Sequence, residues 1–295
     1  MTRQKQAART SRKTNAESLP KPFIKWAGGK GQLVSELLDR TPADFDSYHE
    51  PFMGGAALFF ALYRQGKLNG KKIFLSDINQ ELVDTYASIR DRVETVIRHL
   101  RKHKYEKDYY YEVRAWKPEK LTEAKRAARM IFLNRTGFNG LYRVNSKGKF
   151  NVPFGRYVNP TICDAKNLRA VSCALQGVKL KHESFEKVLK RAKKNDLIYF
   201  DPPYVPVSKT AKFVSYASQG FDLEDQSRLA DVFSKLARRG TLAILSNSET
   251  PWVKKHFEPF KQDRVLARRS VNSRKDRRGP VGELVVISYS AKEVS

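Results

Sequence analysis

Hydrophobic and polar positions follow two patterns along this chain. Short runs of consecutive apolar residues, typical of buried strands, occur at 73–76, 197–200, 241–245 and 284–289. The apolar run 56–63 predicts a helix, and longer stretches with an apolar residue every three or four positions predict amphipathic helices at 79–101 and 222–238. Residues 48–50 form a further predicted strand, which a glycine turn joins to the first of these helices. Strands that alternate with helices predict a mostly parallel α/β sheet, and the late strands predict an antiparallel edge.

The amino-acid composition changes at three points along the chain, and these changes predict its domain organisation. Residues 1–20 are polar and basic, so we expect a disordered arm, either a solvated tail or a source of phosphate contacts. Residues 79–165 are rich in Tyr, Lys and Arg and end in a Gly/Asn-rich stretch at 134–157. We interpret them as an inserted, mostly helical module that carries a hairpin. The α/β domain then consists of residues 21–78 and 166–295.

The most informative motif is Asp201-Pro202-Pro203-Tyr204, directly after the predicted strand 197–200. The two prolines end that strand and remove two N–H donors. They leave a carboxylate and an aromatic ring at the carboxyl edge of the sheet, where ligands of open α/β sheets bind. A carboxylate, bare carbonyls and a ring can grip a flat base by its exocyclic amine. The motif therefore indicates a methyltransferase that acts on an amino group of a nucleobase.

The segment 50–56, Glu-Pro-Phe-Met-Gly-Gly-Ala, indicates a ligand loop between a strand and a helix. Glycine lets the backbone approach a ligand closely, and Asp77 at the end of the next strand can accept ribose hydroxyls. A nucleotide or dinucleotide fits this pattern equally, although G-x-G-x-x-G is absent. A phosphate loop at 23–30 is rejected because Ile24 and Gly31 stand where Gly and Ser or Thr are required. From the residues alone, that segment is a plain turn beside Trp26.

The charge of the chain predicts a polyanionic partner. Lys and Arg number 57 against 31 Asp and Glu, which gives a net charge of +26. A membrane surface is the rival partner, but no apolar run approaches the roughly 20 residues that span a bilayer. We also expect no secretory signal. Cys163 and Cys173 fit a reducing compartment, so we expect a cytoplasmic protein.

Taken together, seven segments resemble the Dam family of DNA adenine-N6 methyltransferases, those with the DPPY motif of the D12 type. Any one of them is modest evidence, but all seven occur in the order of the family and span residues from about 20 to 290. The segments are FIKWAGGK (23–30), EPFMGG (50–55), DIN (77–79), LNRTGFNGLYR (133–143), FNVPFGRY (150–157), DPPY (201–204) and LSN (245–247).

The resemblance implies a Rossmann-like S-adenosylmethionine-dependent methyltransferase sheet with an inserted DNA-recognition domain at 79–165. It implies Asp201, Pro202 and Tyr204 as the catalytic residues. The residues that it implies for binding S-adenosylmethionine are Trp26, Lys30, Glu50, Phe52, Gly54, Asp77 and Asp201. Those that it implies for binding DNA are Lys25, Phe138, Asn139, Leu141, Arg143, Pro153, Arg156 and Tyr157.

The family preference further implies methylation of adenine N6 within GATC in double-stranded DNA, with Arg143 reading the guanine. It implies a bacterial, archaeal or phage protein that acts at the nucleoid, and we expect a monomer because no heptad pattern is present. Two positions depart from the family pattern. Ala56 follows Gly55 where relatives often have glycine, and Phe138 stands where relatives can carry tyrosine.

Several alternatives remain at this stage. Cytosine-C5 methylation needs a thiolate nucleophile, and neither cysteine lies in a Pro-Cys turn. Cytosine-N4 methylation also requires a site that binds an exocyclic amine, so it is the alternative closest to adenine-N6 methylation. An RNA methyltransferase or an inactive nucleic-acid binding module is also possible, although the latter should have damaged the motif residues. His99 and His103 have metal-binding spacing, but the surrounding positive charge favours a solvated basic face, so we expect no metal.

Overall fold

One seven-stranded sheet organises the described part of the chain. The computed structural model describes residues 19–26, 33–204, 221–268 and 280–290. The strand order is β3-β2-β1-β4-β5-β7-β6. The strands are β1 (Ser47–Glu50), β2 (Lys72–Asp77), β3 (Lys179–His182), β4 (Leu197–Phe200), β5 (Leu242–Ser248), β6 (Lys261–Arg268) and β7 (Pro280–Ile287).

Strands β3, β2, β1, β4 and β5 run parallel, whereas β7 is antiparallel to both β5 and β6. The predicted mixed sheet with an antiparallel edge is therefore confirmed. The sequence pattern missed β3, because its Lys-Leu-Lys-His sequence is polar and largely exposed at the edge of the sheet. It also ended β5 too early, at 245 instead of Ser248, since the polar Ser246 and Asn247 are buried in the strand.

Eight α-helices connect or flank these strands within the described ranges. Asn79 begins the long helix α3 by accepting a hydrogen bond from the Leu82 backbone N–H, and Asp222 and Asp225 form a reciprocal capping box at α7. The helices are α1 (Val34–Asp39), α2 (Ala57–Arg64), α3 (Gln80–Leu100), α4 (Lys107–Ala115), α5 (Glu123–Thr136), α6 (Ala165–Ala174), α7 (Leu223–Arg238) and α8 (Pro251–His256).

The two faces of the sheet bury separate hydrophobic clusters. Successive β4 side chains alternate between them, with Leu197 and Tyr199 in one cluster and Ile198 and Phe200 in the other. The first cluster also contains residues of α2, α3 and α5, and the second contains residues of α7 and α8. Within the described ranges, no helix is both long and apolar enough to cross a bilayer.

The region 79–165 is mostly helical and shares the first hydrophobic cluster with the sheet. Helix α3 packs against α5 but also against α6, β2 and β3. It is interrupted at Arg92, whose backbone is non-helical. Helix α3 therefore links the sheet to α5, and α4 packs against α5 in turn. The boundary of a separate recognition domain at residue 79 stays a prediction.

Candidate active site

Asp201 lies at the carboxyl edge of the sheet, immediately after β4. All four β4 residues are buried, so the strand fixes the position at which the chain emerges. The Asp201 carboxylate accepts a hydrogen bond from the Ser246 hydroxyl of β5 at 3.2 Å, and Ser246 is also hydrogen-bonded to Tyr199 at 3.0 Å. Asp201 is half-buried and Pro202 is buried. The neighbouring strand therefore orients the carboxylate before any substrate arrives.

The segment that follows Asp201 is tied to two further elements. Gln226 of α7 donates to the Pro203 carbonyl at 2.7 Å and accepts from the Asn247 side-chain amide at 3.0 Å. The Tyr204 hydroxyl donates to Glu283 of β7 at 2.5 Å. Burial, followed by the charges of Asp201 and Glu283, raises the pKa of Tyr204 well above its usual range. Tyr204 thus stays a neutral phenol with a fixed ring.

The glycine turn after β1 is joined to the acid at the end of β2. The Gly54 N–H donates to one Asp77 carboxylate oxygen at 3.0 Å, and the Asn79 N–H donates to the other at 2.9 Å. Gly54 has φ +45°, and a Cβ built there would lie 2.7 Å from Cδ1 of Trp26. Only glycine fits under the indole in this conformation, so the turn, Asp77 and Trp26 form one unit.

Three carboxyl groups meet where β1, β2 and β4 end. Glu50 is buried and accepts a hydrogen bond from the Tyr48 hydroxyl at 2.9 Å. Burial raises the pKa of Glu50 to about 8, and the charges of Asp201 and Asp77 act in the same direction, against the Tyr48 hydrogen bond. Burial also raises the pKa of Asp77, although its backbone hydrogen bonds oppose this. Such a cluster favours a cationic ligand, which would offset the cost of buried negative charge.

Phe52 forms an apolar wall beside these acids. Its ring stacks on Phe185 at 5.3 Å and meets Phe221 edge to face at 5.5 Å. It also contacts Phe200, the residue before Asp201. Ile78, the residue after Asp77, is 58% exposed despite its apolar side chain. These rings and Ile78 offer apolar surface for a flat adenosyl group next to carboxylates for hydroxyls and positive charge, so the residues present fit S-adenosylmethionine.

Residues 137–157, which we call the hairpin, carry most of the predicted DNA-binding residues. Antiparallel bridges pair Gly137 with Phe154 and Val144 with Phe150. The exposed predicted residues on it are Phe138, Asn139, Arg143, Pro153 and Arg156, and the half-buried ones are Leu141 and Tyr157. The structure therefore places these seven residues on one continuous segment.

Lys25 joins this segment from the other end of the chain. Its ammonium lies 4.3 Å from the centre of the Tyr157 ring. Asn134, at the end of α5, holds its backbone by accepting from the Lys25 N–H at 2.8 Å and donating to its carbonyl at 2.7 Å. The same Asn134 amide donates to the Gly140 carbonyl at 2.8 Å. One buried side chain thus fixes Lys25 against the hairpin.

Arg143 is exposed, and its guanidinium is held in place by the opposite side of the hairpin. Its Nε donates to the Asn151 side-chain oxygen at 2.7 Å, and one terminal nitrogen donates to the Asn151 carbonyl at 3.1 Å. In the basic segment 261–278, Arg264 is paired with Glu249 and Asp263 with Arg40. Residues 269–278 of that segment, Lys30 and the arm at 1–18 lie outside the described residues.

Three candidate residues were missed by sequence reasoning. Gln226 carried a signal, because it is a polar residue on the face of α7 that otherwise buries Leu229, Ala230 and Phe233. Glu283 gave no signal in the sequence, because an acidic residue is common in a strand near the edge of a sheet. Tyr142 lies inside a matched segment, but its contacts to Trp26 and Glu81 are visible only in the structure.

The fold and this site define a class of protein. A parallel sheet with a glycine turn after β1, an acid after β2 and Asp-Pro-Pro-Tyr after β4 has the arrangement of an S-adenosylmethionine-dependent methyltransferase. The chain belongs to the D12 class N6 adenine-specific DNA methyltransferase family, whose family model matches residues 26–271. It is therefore an adenine-specific DNA methyltransferase, which confirms the resemblance and favours adenine over the cytosine-N4 and RNA alternatives.

Similar proteins occur in both bacteria and archaea. The type II methyltransferase M1.LlaDCHI of Lactococcus lactis subsp. cremoris is 40% identical over 277 residues, which cover 91% of this chain and 95% of the relative. The type II methyltransferase M.MjaIII of Methanocaldococcus jannaschii is 40% identical over 288 residues, covering 91% and 99%. The DNA adenine methylase of Escherichia coli is 32% identical over 269 residues, covering 90% and 94%. Membership implies DNA as the substrate and S-adenosylmethionine as the methyl donor.

Proposed function

We propose that this enzyme methylates N6 of the adenine in GATC after that base has left the DNA duplex, and that Asp201, Pro202 and Tyr204 hold the base. The observation that carries the proposal is the fixed Asp201 carboxylate at the end of β4, followed directly by the Pro202 carbonyl and the Tyr204 ring. A base inside a duplex cannot reach a pocket at the edge of a sheet, so the target must be flipped.

The proposed chemistry needs hydrogen-bond acceptors and precise placement. The N6 lone pair of adenine is delocalised into the ring, which makes the amine a poor nucleophile. Its two protons would be donated to the Asp201 carboxylate and the Pro202 carbonyl, which favours a more tetrahedral nitrogen. The sulfonium of S-adenosylmethionine supplies an already activated methyl group, so placement by the protein supplies much of the acceleration, up to about 7–11 kcal/mol.

Tyr204 is proposed to stack on the flipped adenine. Stacking of a base on an aromatic side chain stabilises single-strand complexes by about 1–3 kcal/mol. The hydrogen bond from Tyr204 to Glu283 supports this role, because a ring that is already fixed loses little entropy on stacking. The raised pKa keeps the ring uncharged next to Asp201.

The methyl donor is proposed to bind across the ends of β1 and β2. Asp77 would accept the ribose hydroxyls, while Glu50 and Asp201 lie near the positive charge of the donor. Trp26, Phe52 and Gly54 would supply the walls and floor of the pocket, and Lys30 is proposed to contact the donor from the neighbouring segment. The support is the joined unit of Gly54, Asp77 and Trp26.

Target recognition is proposed to reside in the hairpin, within a recognition domain at 79–165. Arg143 would read the guanine of GATC, since a bidentate arginine–guanine pair is the commonest specific base contact. Its two bonds to Asn151 support this by holding the guanidinium in one plane. Phe138, Asn139, Leu141 and Pro153 would contact neighbouring bases. Lys25, Arg156 and Tyr157 would contact the backbone or flanks.

The test is transfer of labelled methyl from S-adenosylmethionine to matched duplexes. One duplex carries a single GATC, and the others change that site one base at a time. Label on adenine N6 in the GATC duplex alone supports the reaction, the target and the readout together. Equal label on every duplex would contradict recognition of GATC. Label confined to a different adenine-containing site would contradict the target while keeping the chemistry.

A further inference from the structure

Tyr142 lies between two of the proposed DNA-reading residues but contacts the cofactor side of the protein. Its neighbours Leu141 and Arg143 are on the hairpin, and Arg143 is exposed. The Tyr142 ring instead stacks on the Trp26 indole, with ring centres 5.5 Å apart and planes 27° from parallel. Tyr142 also meets Phe150, across the hairpin, edge to face at 5.7 Å. One side chain therefore joins the hairpin to the wall of the proposed cofactor pocket.

The hydroxyl of Tyr142 is anchored to the first turn of α3. It donates to one carboxylate oxygen of Glu81 at 2.8 Å. The other Glu81 oxygen pairs with Arg129 of α5 at 3.3 Å, and the Arg129 side chain is only 3% exposed. Arg129 also donates to the backbone carbonyl of Arg114 at 2.9 Å. The anchor is thus part of a buried network that connects α3, α4 and α5.

The other end of this connection reaches the residues proposed to hold the methyl donor. Trp26 lies so close to Gly54 that no Cβ fits between them. Gly54 in turn donates to Asp77, and Asp77 accepts from the N–H of Asn79, the residue that begins α3. A ligand that moves Trp26 therefore acts on the ring of Tyr142. A ligand that tightens the bond to Asp77 acts on the start of α3, where Glu81 accepts the Tyr142 hydroxyl.

We propose that Tyr142 is a positioning residue that couples occupancy of the cofactor pocket to the placement of Arg143 on target DNA. This inference rests on the proposed function and deepens it by naming the physical link between the two binding sites. Packed rings and buried hydrogen bonds transmit displacement because they have few alternative arrangements. The coupling is reciprocal, so bound target DNA also tightens binding of the methyl donor.

The test measures this coupling directly. The dissociation constant of a GATC duplex is determined with and without saturating sinefungin, a non-reactive analogue of S-adenosylmethionine. For the wild-type enzyme we expect the analogue to tighten DNA binding by about 10-fold, within the usual range for coupled sites. Tyr142→Leu removes both the stack and the anchor and should bring the ratio of the two constants close to one. Tyr142→Phe keeps the stack and should give an intermediate ratio.

Two further variants separate coupling from a general loss of structure. Tyr109→Phe removes a comparable tyrosine hydroxyl that bonds His103, away from Trp26, and should keep the wild-type ratio. Glu81→Gln keeps an acceptor for Tyr142 but weakens the pair with Arg129, and should lower the ratio even if Tyr142→Leu does not fold. A purely structural role would weaken both affinities in the variants and leave their ratio unchanged, which would overturn the inference.

A second readout addresses specificity. The preference for GATC over a duplex with the guanine replaced, measured as a ratio of kcat/KM values, should fall in Tyr142→Leu as it does in Arg143→Ala. In Tyr142→Leu, but not in Arg143→Ala, the KM for S-adenosylmethionine should also rise. A wild-type enzyme that binds analogue and GATC DNA independently contradicts the coupling alone. A wild-type enzyme that binds neither contradicts the proposed function, and the coupling falls with it.

Discussion

At the scale of single residues, the candidate site concentrates groups that are unfavourable for stability. Glu50 and Asp77 are buried acids, and Asp201 directly follows the fully buried strand β4. Burial of carboxylates near one another disfavours their charged forms, which the raised pKa of Glu50 reflects. The protein keeps them where three parallel strands end, the edge at which ligands of α/β sheets bind. The arrangement lowers the stability of the empty protein but attracts a cationic ligand electrostatically.

Asp201→Ala should abolish methyl transfer and largely retain DNA binding. The substitution removes the proposed acceptor for the adenine amine, so we expect kcat to fall by at least about 100-fold, as for other groups that act on developing charge. The dissociation constant for a GATC duplex should change by less than about 3-fold, because most of the affinity comes from phosphate contacts. Single-turnover transfer and a gel-shift titration measure the two quantities. Substantial activity in this variant would show that another group accepts the amine proton.

Glu50 should make the stability of the empty protein fall as the pH rises from about 4.5 to about 8. The folded protein holds the Glu50 proton up to a pKa of about 8, whereas the unfolded chain releases it near 4.3. Raising the pH through this window therefore favours the unfolded state, with a total effect of up to about 5 kcal/mol. Glu50→Gln should remove this contribution to the pH dependence and stabilise the empty protein at pH 8. Urea unfolding at a series of pH values measures it.

The matched control for Glu50 is Glu94→Gln. Glu94 pairs with Arg169 on the surface, and that hydrogen bond holds the pKa of Glu94 below its usual value. Its ionisation therefore falls below the window of Glu50, and the slope between pH 5 and pH 8 should match the wild type. A Glu50→Gln variant with an unchanged slope would mean that Glu50 is ionised in the folded protein at neutral pH.

At the scale of elements, the segment after β4 depends on helix α7 for its position. Gln226 is 2% exposed and lies on the apolar face of α7, yet it carries hydrogen bonds to Pro203 and Asn247. A buried polar side chain on an apolar face stabilises less than a leucine unless its hydrogen bonds are made. Its cost is offset by those bonds, which tie α7 and β5 to the loop that carries Tyr204.

Gln226→Leu should lower kcat by about 10-fold with little change in the KM for DNA. Leucine fits the apolar face of α7, so the fold should persist, but the Pro203 carbonyl loses its donor and the backbone that leads into Tyr204 is held less firmly. A misplacement of about 1 Å at a catalytic group can reduce the rate by up to about 100-fold. Steady-state kinetics with a GATC duplex give both parameters, and thermal unfolding monitors the fold. A variant with wild-type kcat would show that Gln226 has only a packing role.

At the scale of the whole molecule, the excess of 57 basic over 31 acidic residues matches a DNA substrate. Many acids in the described part are already paired with neighbouring bases, for example Asp263 with Arg40 and Glu94 with Arg169. The remaining positive charge is therefore available to phosphates. Contacts to phosphates release counterions from the DNA, so the affinity that they contribute must decrease as the salt concentration rises.

Removal of residues 1–18 should weaken the salt dependence of DNA binding. This segment carries five Arg and Lys residues, namely Arg3, Lys5, Arg9, Arg12 and Lys13. If each neutralises one phosphate, the slope of log K against log salt should decrease in magnitude by up to about 4.5. The preference for GATC over altered sites should stay the same, because phosphate contacts do not read sequence. An unchanged slope would show that the arm lies outside the DNA interface.

Local patterns in the sequence predicted most of the sheet and much of the candidate site. Apolar runs identified β2, β4 and β5, and the period of α3 located that helix to within one residue at each end. The strand β3 was missed because an exposed edge strand has no apolar period to detect. The missed candidates Gln226, Glu283 and Tyr142 share one property, since each acts through a partner that is distant in sequence.

The sequence by itself therefore determined which segments form strands and helices and which chemical groups follow each strand. Those features depend on steric and hydrophobic preferences that act within a few residues, such as the prolines that end β4. Only the tertiary structure decided that Tyr142 meets Glu81, that Gln226 holds Pro203 and that Tyr204 bonds Glu283 across 79 residues. Such contacts depend on strand order and register, which bring together distant parts of the chain that no local pattern relates.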